Sequence, residues 1–392
     1  MKKQIVVLGA GMVGRVMAID LSKNYSVTSV DRDKNVLAAL KKNFGINTVE
    51  ADLRDAKKIR AAISKADLVV GAVPGFMGFE MIQTVIKAKK NIVDISFFPE
   101  DALQLDKLAK ENNVTGIVDI GVAPGMDNMI LGYHAQRMEV EDFTCVVGGL
   151  PFKRTLPFQY KAPFSPIDVI EEYIRPARLV EDGKIVTKPA LTEPEFMQFD
   201  EIGTLEAFNT DGLRSLLKTM KIKNMREKTL RYPGHREVIQ HLKNAGMFSE
   251  EKILVDGKNI SPLEMTAKIL LPQWKLEKNE DEFTVMRVIV EGSGKNEVGS
   301  GKEKSSSAKA SADKKKKYTY DLFDRNDKQT GFSSMSRTTG FTCTAAANLV
   351  LQNLYNKKGI IPPELIGKDE KCFSFVMSYL KERGVIYRQT IS

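Results

Sequence analysis

The stretch GAGMVG, residues 9–14, constrains this chain more than any other. A G-x-G-x-x-G pattern alone is weak, because glycine-rich turns are common. Its setting gives it force. Upstream, Gln4, Ile5, Val6, Val7 and Leu8 form a short apolar run rich in β-branched residues, which predicts a buried strand. Downstream, Met12, Val13, Val16, Met17 and Ile19 recur at helical spacing with no proline among them. A second strand-like run then ends on Asp31, twenty residues after Gly11, where a carboxylate can accept hydrogen bonds from ribose hydroxyls. The spacing therefore predicts a dinucleotide-binding turn. Gly9 permits the turn, Gly11 admits the pyrophosphate, and Gly14 lets helix and strand pack closely. The backbone N–H groups at Met12 and Val13 open the helix and face the phosphates.

The alternation of strand and helix continues. Strand signals at 47–49, 67–73, 91–94 and 114–118, joined by helical crossovers, complete an α/β fold: a Rossmann-type doubly wound parallel sheet over 1–125. Ligands of such sheets bind at the carboxyl ends of the strands, which directs attention to Asp52 and Leu53, to Ala72, Val73 and Pro74, to Ser96 and Phe97, and to the loop 122–125. After Gly125 the rhythm changes to long irregular pieces with prolines and aromatics. This predicts a central α+β substrate and dimerisation domain over 126–337, and helices over 338–392 that return to the first domain.

Charge narrows the function. The net charge is +9, but residues 293–317 hold eight lysines against three acids, so most of the excess is local. That segment is rich in serine, alanine, glycine and lysine and predicts a disordered hairpin between two strand-like runs, 283–290 and 318–323. It lacks the arginines and aromatics of a nucleic-acid arm, so neither nucleic acid nor membrane is expected as a partner. No apolar run reaches the length of a membrane span, and Gly9, Gly11, Gly14 and Arg15 interrupt any signal-peptide core. Cys145, Cys343 and Cys372 are widely spaced and read as reduced thiols, so a cytoplasmic location is expected. The three histidines have no ligand spacing, and no metal is expected.

Several further blocks occur in order: DIGVAPGMDNM (119–129), VVGGLP (146–151), YKAPFSP (160–166), GTLEAFNTDG (203–212), KTLRYPGH (228–235) and RTTGFTCTAAA (337–347). With GAGMVG and Asp31 they resemble the saccharopine dehydrogenase family, which includes L-glutamate-forming saccharopine dehydrogenases and lysine 6-dehydrogenases. The likeness covers nearly the whole chain apart from the lysine-rich hairpin. It implies a homodimer that oxidises a carbon bearing nitrogen in a small amino-acid substrate, using a nicotinamide cofactor. YKAPFSP looks more like the saccharopine enzymes, GVAPGM and GTLEAF more like the lysine enzymes. The resemblance also implies an arginine for a substrate carboxylate within the block matching Phe208, Asn209, Thr210 and Asp211. This chain has Thr210 there, and Arg214 follows a turn later.

Chemistry then assigns candidates. Asp31 favours NAD, because a carboxylate repels a 2′-phosphate, while the neighbouring Arg32 can accept one, so NADP stays open. Asp52 and Leu53 suit the adenine, or Asp52 caps a helix. Ala72, Val73 and Pro74 flank the nicotinamide ribose. For the substrate, Arg231 is the first choice as a carboxylate partner, with Ser96, Phe97, Tyr160, Ser165, Asn209 and Arg214 beside it. For proton transfer the candidates are Asp127, Lys161 and His235, each with a structural alternative: a helix-start acid, a solvated lysine and a loop-capping histidine. Sequence alone identifies no base.

Overall fold

The computed structural model describes residues 2–162, 166–277, 280–294 and 315–392. Its first sheet has seven parallel strands in the order Gly359–Ile361, Thr115–Ile117, Ile92–Asp94, Leu68–Gly71, Gln4–Leu8, Ser26–Asp31 and Asn47–Glu50. Six of them are the runs read from the sequence. They are legible because a sheet covered by helices on both faces needs continuous apolar strands, and Val7, Leu8, Leu68, Val69, Val70, Ile92 and Val93 are all fully buried. The order reverses beside Gln4–Leu8, which places a crevice at the carboxyl ends of that strand and of Leu68–Gly71.

The seventh strand comes from the far end of the chain. Gly359–Ile361 pairs with Thr115–Ile117, and the helix Ser334–Leu351 packs on Met12–Ser22. The small residues of TTGFTCTAAA permit that close packing, and nearly all of the helix is buried. Asp20 ties the two ends together. It is buried, yet it accepts hydrogen bonds from Arg383 Nε (3.0 Å), Tyr379 Oη (2.7 Å) and Thr344 Oγ1 (2.8 Å). Burial alone would raise its pKa; the bonds from Arg383, Tyr379 and Thr344 outweigh that and hold it below the usual value.

The second sheet runs Glu195–Phe199, Gly203–Asn209, Asn224–Arg231, Met138–Pro151, Glu282–Gly294, Lys316–Arg325 and Tyr387–Ile391, with Ala177–Glu181 and Lys184–Lys188 alongside. Asn224–Arg231 and Met138–Pro151 pair in parallel. The two arms flanking the lysine-rich segment, Glu282–Gly294 and Lys316–Arg325, pair antiparallel. The expected hairpin tip itself, 295–314, lies outside the described residues. One difference from the sequence reading concerns the tail. Tyr387–Ile391 is a strand at the edge of the central sheet, so 338–392 is not wholly helical and contributes to both sheets. Its residues after Tyr387 are exposed, which is why YRQTI carries no buried-strand pattern. No helix among the described residues is long and apolar enough to cross a membrane.

Candidate active site

The glycine turn is built as its spacing demands. Gly9 has φ +104°, and a Cβ there would lie 2.4 Å from the Ala72 carbonyl oxygen; a Cβ on Gly14 would lie 2.1 Å from the Gly9 carbonyl oxygen. Both clashes are with backbone and cannot relax cheaply. Gly11 meets nothing within 4 Å, so its face is open to a ligand. The helix Met12–Ser22 starts there with no side-chain cap and no acid in its first turn, leaving its N–H groups to the cleft. Asp31 is fixed by its neighbours: Oδ2 accepts from Ala10 N at 2.7 Å and Oδ1 from Asp33 N at 2.9 Å.

A cleft of about 670 Å³ begins at this turn. Gly9, Gly11, Met12, Val13, Gly14, Asp31, Arg32, Asp52, Leu53, Ala72, Val73 and Pro74 all line it. The cleft then passes Ser96 and Phe97 and reaches Thr210, Asp211, Glu227, Thr229 and Arg231 of the central sheet. It therefore joins the glycine turn to the predicted carboxylate partner. Asp52 is not a helix cap, since the following helix is capped by Asp55, which accepts from Lys57 N at 2.8 Å. Instead a hydrogen bond from the Arg54 guanidinium holds the Asp52 carboxyl well below the usual range. Ser96 donates from both N and Oγ, each at 2.9 Å, to the buried Asp94, whose pKa burial pushes up to about 7.

Arg231 is buried at 2% exposure and held from three sides. Nη1 donates to the Leu230 carbonyl at 2.9 Å, Nη2 to Glu172 at 2.9 Å, and Nε to the Tyr173 hydroxyl at 3.0 Å. The Tyr160 ring lies 4.4 Å below the guanidinium, so Tyr160 supports Arg231 rather than lining the cleft. Behind Tyr173 stands His235. Its Nδ1 is 2.7 Å from the Phe158 carbonyl and its Nε2 2.9 Å from the Tyr173 hydroxyl. A carbonyl only accepts, so Nδ1 carries the proton, Nε2 accepts from Tyr173, and the Tyr173 oxygen accepts from Arg231.

The three proton-transfer candidates are not brought into the cleft. Both His235 nitrogens are engaged, and burial, with the nearby Arg231 charge, pushes its pKa down to about 3, so it is neutral in the ordinary range and serves as a support. Lys161 is paired with Glu280 at 2.9 Å, both largely buried. Asp127 accepts from Gly125 N at 2.9 Å at the start of the helix Met126–Arg137, the helix-start role. Two substrate candidates also point elsewhere. Asn209 donates to Thr192 Oγ1 at 3.2 Å and Glu193 Oε2 at 3.0 Å. Arg214 is committed behind the cleft wall, to Asp119 Oδ2 at 2.9 Å and the Phe98 carbonyl at 2.7 Å. Its guanidinium does not line the cleft, whereas that of Arg231 does, so Arg214 does not replace an arginine at Thr210. Ser165 lies outside the described residues.

Burial pushes the Asp127 pKa up to about 7. A folded value above the unfolded one contributes stability below about pH 4, and that contribution is lost as pH rises through the folded value. Asp127→Asn keeps an oxygen for Gly125 N and removes the titration. Its melting temperature relative to the wild type should therefore rise on going from mildly acidic to alkaline buffer; an unchanged difference would contradict the assignment.

Some cleft residues escaped the sequence reading. Glu227 and Thr229 alternate along Asn224–Arg231 with the expected Arg231, so the period of two in EKTLR puts them on the same face as that arginine. Glu171, Glu172 and Arg175 come from the helix Pro166–Ile174 and its end, and Met335 and Thr339 from Ser334–Leu351, a segment remote in sequence. Among the described residues, no three His, Cys, Asp or Glu side chains gather as a metal site.

The comparisons with known proteins agree with this arrangement. Residues 5–117 match the family model described as the saccharopine dehydrogenase NADP binding domain, and residues 121–385 the saccharopine dehydrogenase C-terminal domain. The chain belongs to the saccharopine dehydrogenase family. Among members of that family, it is 26% identical over 284 residues to the saccharopine dehydrogenase (NADP(+), L-glutamate-forming) of Pyricularia oryzae, covering 68% of this chain and 63% of that protein. It is 21% identical over 453 residues to the mitochondrial alpha-aminoadipic semialdehyde synthase of Rattus norvegicus, covering 98% of this chain and 47% of that one. The chain thus spans about half the length of the synthases it matches. Its fold matches apo saccharopine dehydrogenase (L-Glu forming) from Saccharomyces cerevisiae with a TM-score of 0.79 over 100% of both chains, at 19% identity.

Proposed function

We propose that this protein is a nicotinamide-dinucleotide-dependent oxidoreductase acting on a C–N bond, and specifically a saccharopine dehydrogenase that forms L-glutamate in lysine metabolism. The observation that carries the reading is the single cleft that links the GAGMVG turn to Arg231. A nicotinamide dinucleotide fits the first part: the cradle of Gly9 and Gly14 admits no side chain, and Asp31 stands where a ribose would lie. When bound, the cofactor supplies the hydride acceptor. The protein's residues first position the substrate. Arg231, braced by Glu172, Tyr173 and His235, holds a substrate carboxylate, and Ser96 and Phe97 lie between it and the nicotinamide end. Water admitted after oxidation splits the C–N bond to an aldehyde and an amine. Initial rates of nicotinamide reduction with L-saccharopine and L-lysine test the reading.

A second reading is favoured by one specific feature. Thr210 in place of an arginine, with Glu227 beside it, suits a substrate carrying fewer carboxylates, such as lysine itself. We further propose a cytoplasmic homodimer. The free thiols of Cys145, Cys343 and Cys372 support a reducing compartment, and the exposed apolar side chains Leu254 and Ile269 of the central domain support a partner copy.

For the cofactor, relatives are named for NADP, whereas Asp31 suits the free ribose of NAD. Arg32 lines the cleft beside Asp31 and is the group for a 2′-phosphate. Arg32→Ala should lower kcat/KM for NADP by about tenfold or more, the loss of one charge-assisted hydrogen bond, with little change for NAD. Equal losses with both dinucleotides would assign Arg32 to adenine packing instead.

A further inference from the structure

Five acids line the substrate end of the cleft, and four are matched by arginines. Asp119 pairs with Arg214 (2.9 Å), Glu171 with Arg175 (3.5 Å), Glu172 with Arg231 (2.9 Å) and Asp211 with Arg178 (2.8 Å). Glu227 differs. Among the described residues its hydrogen-bond partner is a hydroxyl, Thr210 Oγ1 at 2.8 Å from Oε2, which is in turn 2.9 Å from Thr229 Oγ1. A carboxyl buried to 5% exposure on a cleft wall, with no cation paired to it among the described residues, is costly to ionise unless a ligand supplies the opposite charge. The backbone is shaped to admit it: a Cβ on Gly212 would fall 2.2 Å from Glu227 Oε2, so only glycine leaves the carboxyl this place. Two positions along the same strand face stands Arg231.

We propose that Glu227 is the catalytic base for the substrate nitrogen, facing a cationic amine while Arg231 holds a carboxylate. The inference rests on the amine-oxidation reading above and names the proton acceptor it lacks. An amine can expel hydride from its neighbouring carbon only with a free lone pair. In the step assigned to Glu227, an N–H bond of the substrate ammonium breaks, its electron pair stays on nitrogen, and an O–H bond forms on the carboxylate. That proton returns to the amine leaving group when the C–N bond of the water adduct breaks, and the adduct's hydroxyl proton passes to solvent as the C=O bond forms. Burial raises the pKa of Glu227 well above the ordinary carboxylate value, against the bond from Thr210, which lowers it. The charged and titratable groups around it are Glu172 on the helix Pro166–Ile174, Asp211 after the adjacent strand, Cys145 opposite it on the paired strand Met138–Pro151, Asp127 at the start of Met126–Arg137, and Arg231 along its own strand. The acids raise its pKa further, so the base is active toward alkaline pH.

The test is the pH profile of kcat/KM for wild type, Glu227→Gln and Thr210→Val, with the amine that the wild type turns over, beside fluorescence titration of each protein with reduced dinucleotide. Glu227→Gln should lose about 100-fold or more in kcat/KM, the usual share of general base catalysis, and lose the acidic limb of the profile, with dinucleotide affinity unchanged. Thr210→Val removes a donor to the carboxylate and should shift that limb to higher pH. If Glu227→Gln keeps its rate and limb, or loses dinucleotide binding in step with rate, Glu227 is structural and the proposal falls while the oxidoreductase reading stands. A wild type silent with every amine offered, yet binding dinucleotide, overturns the reading and the proposal together.

Discussion

Replacing Arg231 with methionine should lower kcat/KM for the amino-acid substrate by about 100- to 1,000-fold, mostly through KM, while the affinity for dinucleotide stays the same. Truncating one member of a buried, hydrogen-bonded charge pair costs about 2–5 kcal/mol, and a methionine keeps the volume without the donors. The expectation is that large because the guanidinium is placed rather than merely present. Tyr173 anchors Nε, Glu172 anchors Nη2, and the Tyr160 ring supports the plane from 4.4 Å. Arg231→Lys should recover little, since an ammonium cannot reproduce the planar fork. His235→Phe should show a milder rise in KM, because it removes the acceptor that orients the Tyr173 hydroxyl but leaves Arg231 in place. A KM unchanged in Arg231→Met would remove Arg231 from the substrate site.

Arg214→Met should act on stability instead. Arg214 and Asp119 are buried, at 6% and 4% side-chain exposure, and Asp119 Oδ1 already has no partner among the described residues. Removing the arginine leaves an uncompensated buried carboxylate, which typically costs about 3–5 kcal/mol. Denaturant titration should show the midpoint falling with an unchanged slope. Asp119→Asn in the same chain should return much of the loss, since replacing both members of a buried pair is far cheaper than breaking it. A loss under about 1 kcal/mol would mean that solvent reaches the pair.

These two arginines also show what the sequence could and could not disclose. From sequence, both are candidate carboxylate partners. The strand carrying Arg231 puts it on the cleft face with Thr229, whereas Arg214 is taken by Asp119, 95 residues earlier, a partner no local pattern announces. The same holds for His235, whose orienting carbonyl on Phe158 is 77 residues away. By contrast, the end of the cleft at the glycine turn was legible nearly residue by residue as cleft lining, because the turn, the helix start and Asp31 are all set by short-range geometry. The parallel strands were legible for a similar reason: burial on both faces writes an apolar run into the chain. Gly359–Ile361 was not, since it stands apart from the strand–helix alternation that makes the equally short Ile92–Asp94 and Thr115–Ile117 legible, and the polar edge strand Tyr387–Ile391 buries only its first residue. Glu227 was passed over because an acid in EKTLR reads as a solvated strand position until the topology turns that face inward.

The most direct measurement is product analysis. Purified protein would be incubated with L-saccharopine and oxidised NAD or NADP, with nicotinamide absorbance and free L-glutamate followed together. A saccharopine dehydrogenase of the L-glutamate-forming kind gives equal amounts of reduced nicotinamide and glutamate, with an aldehyde as the other product. Nicotinamide reduction with L-lysine and ammonia release, but none with saccharopine, would contradict that reading.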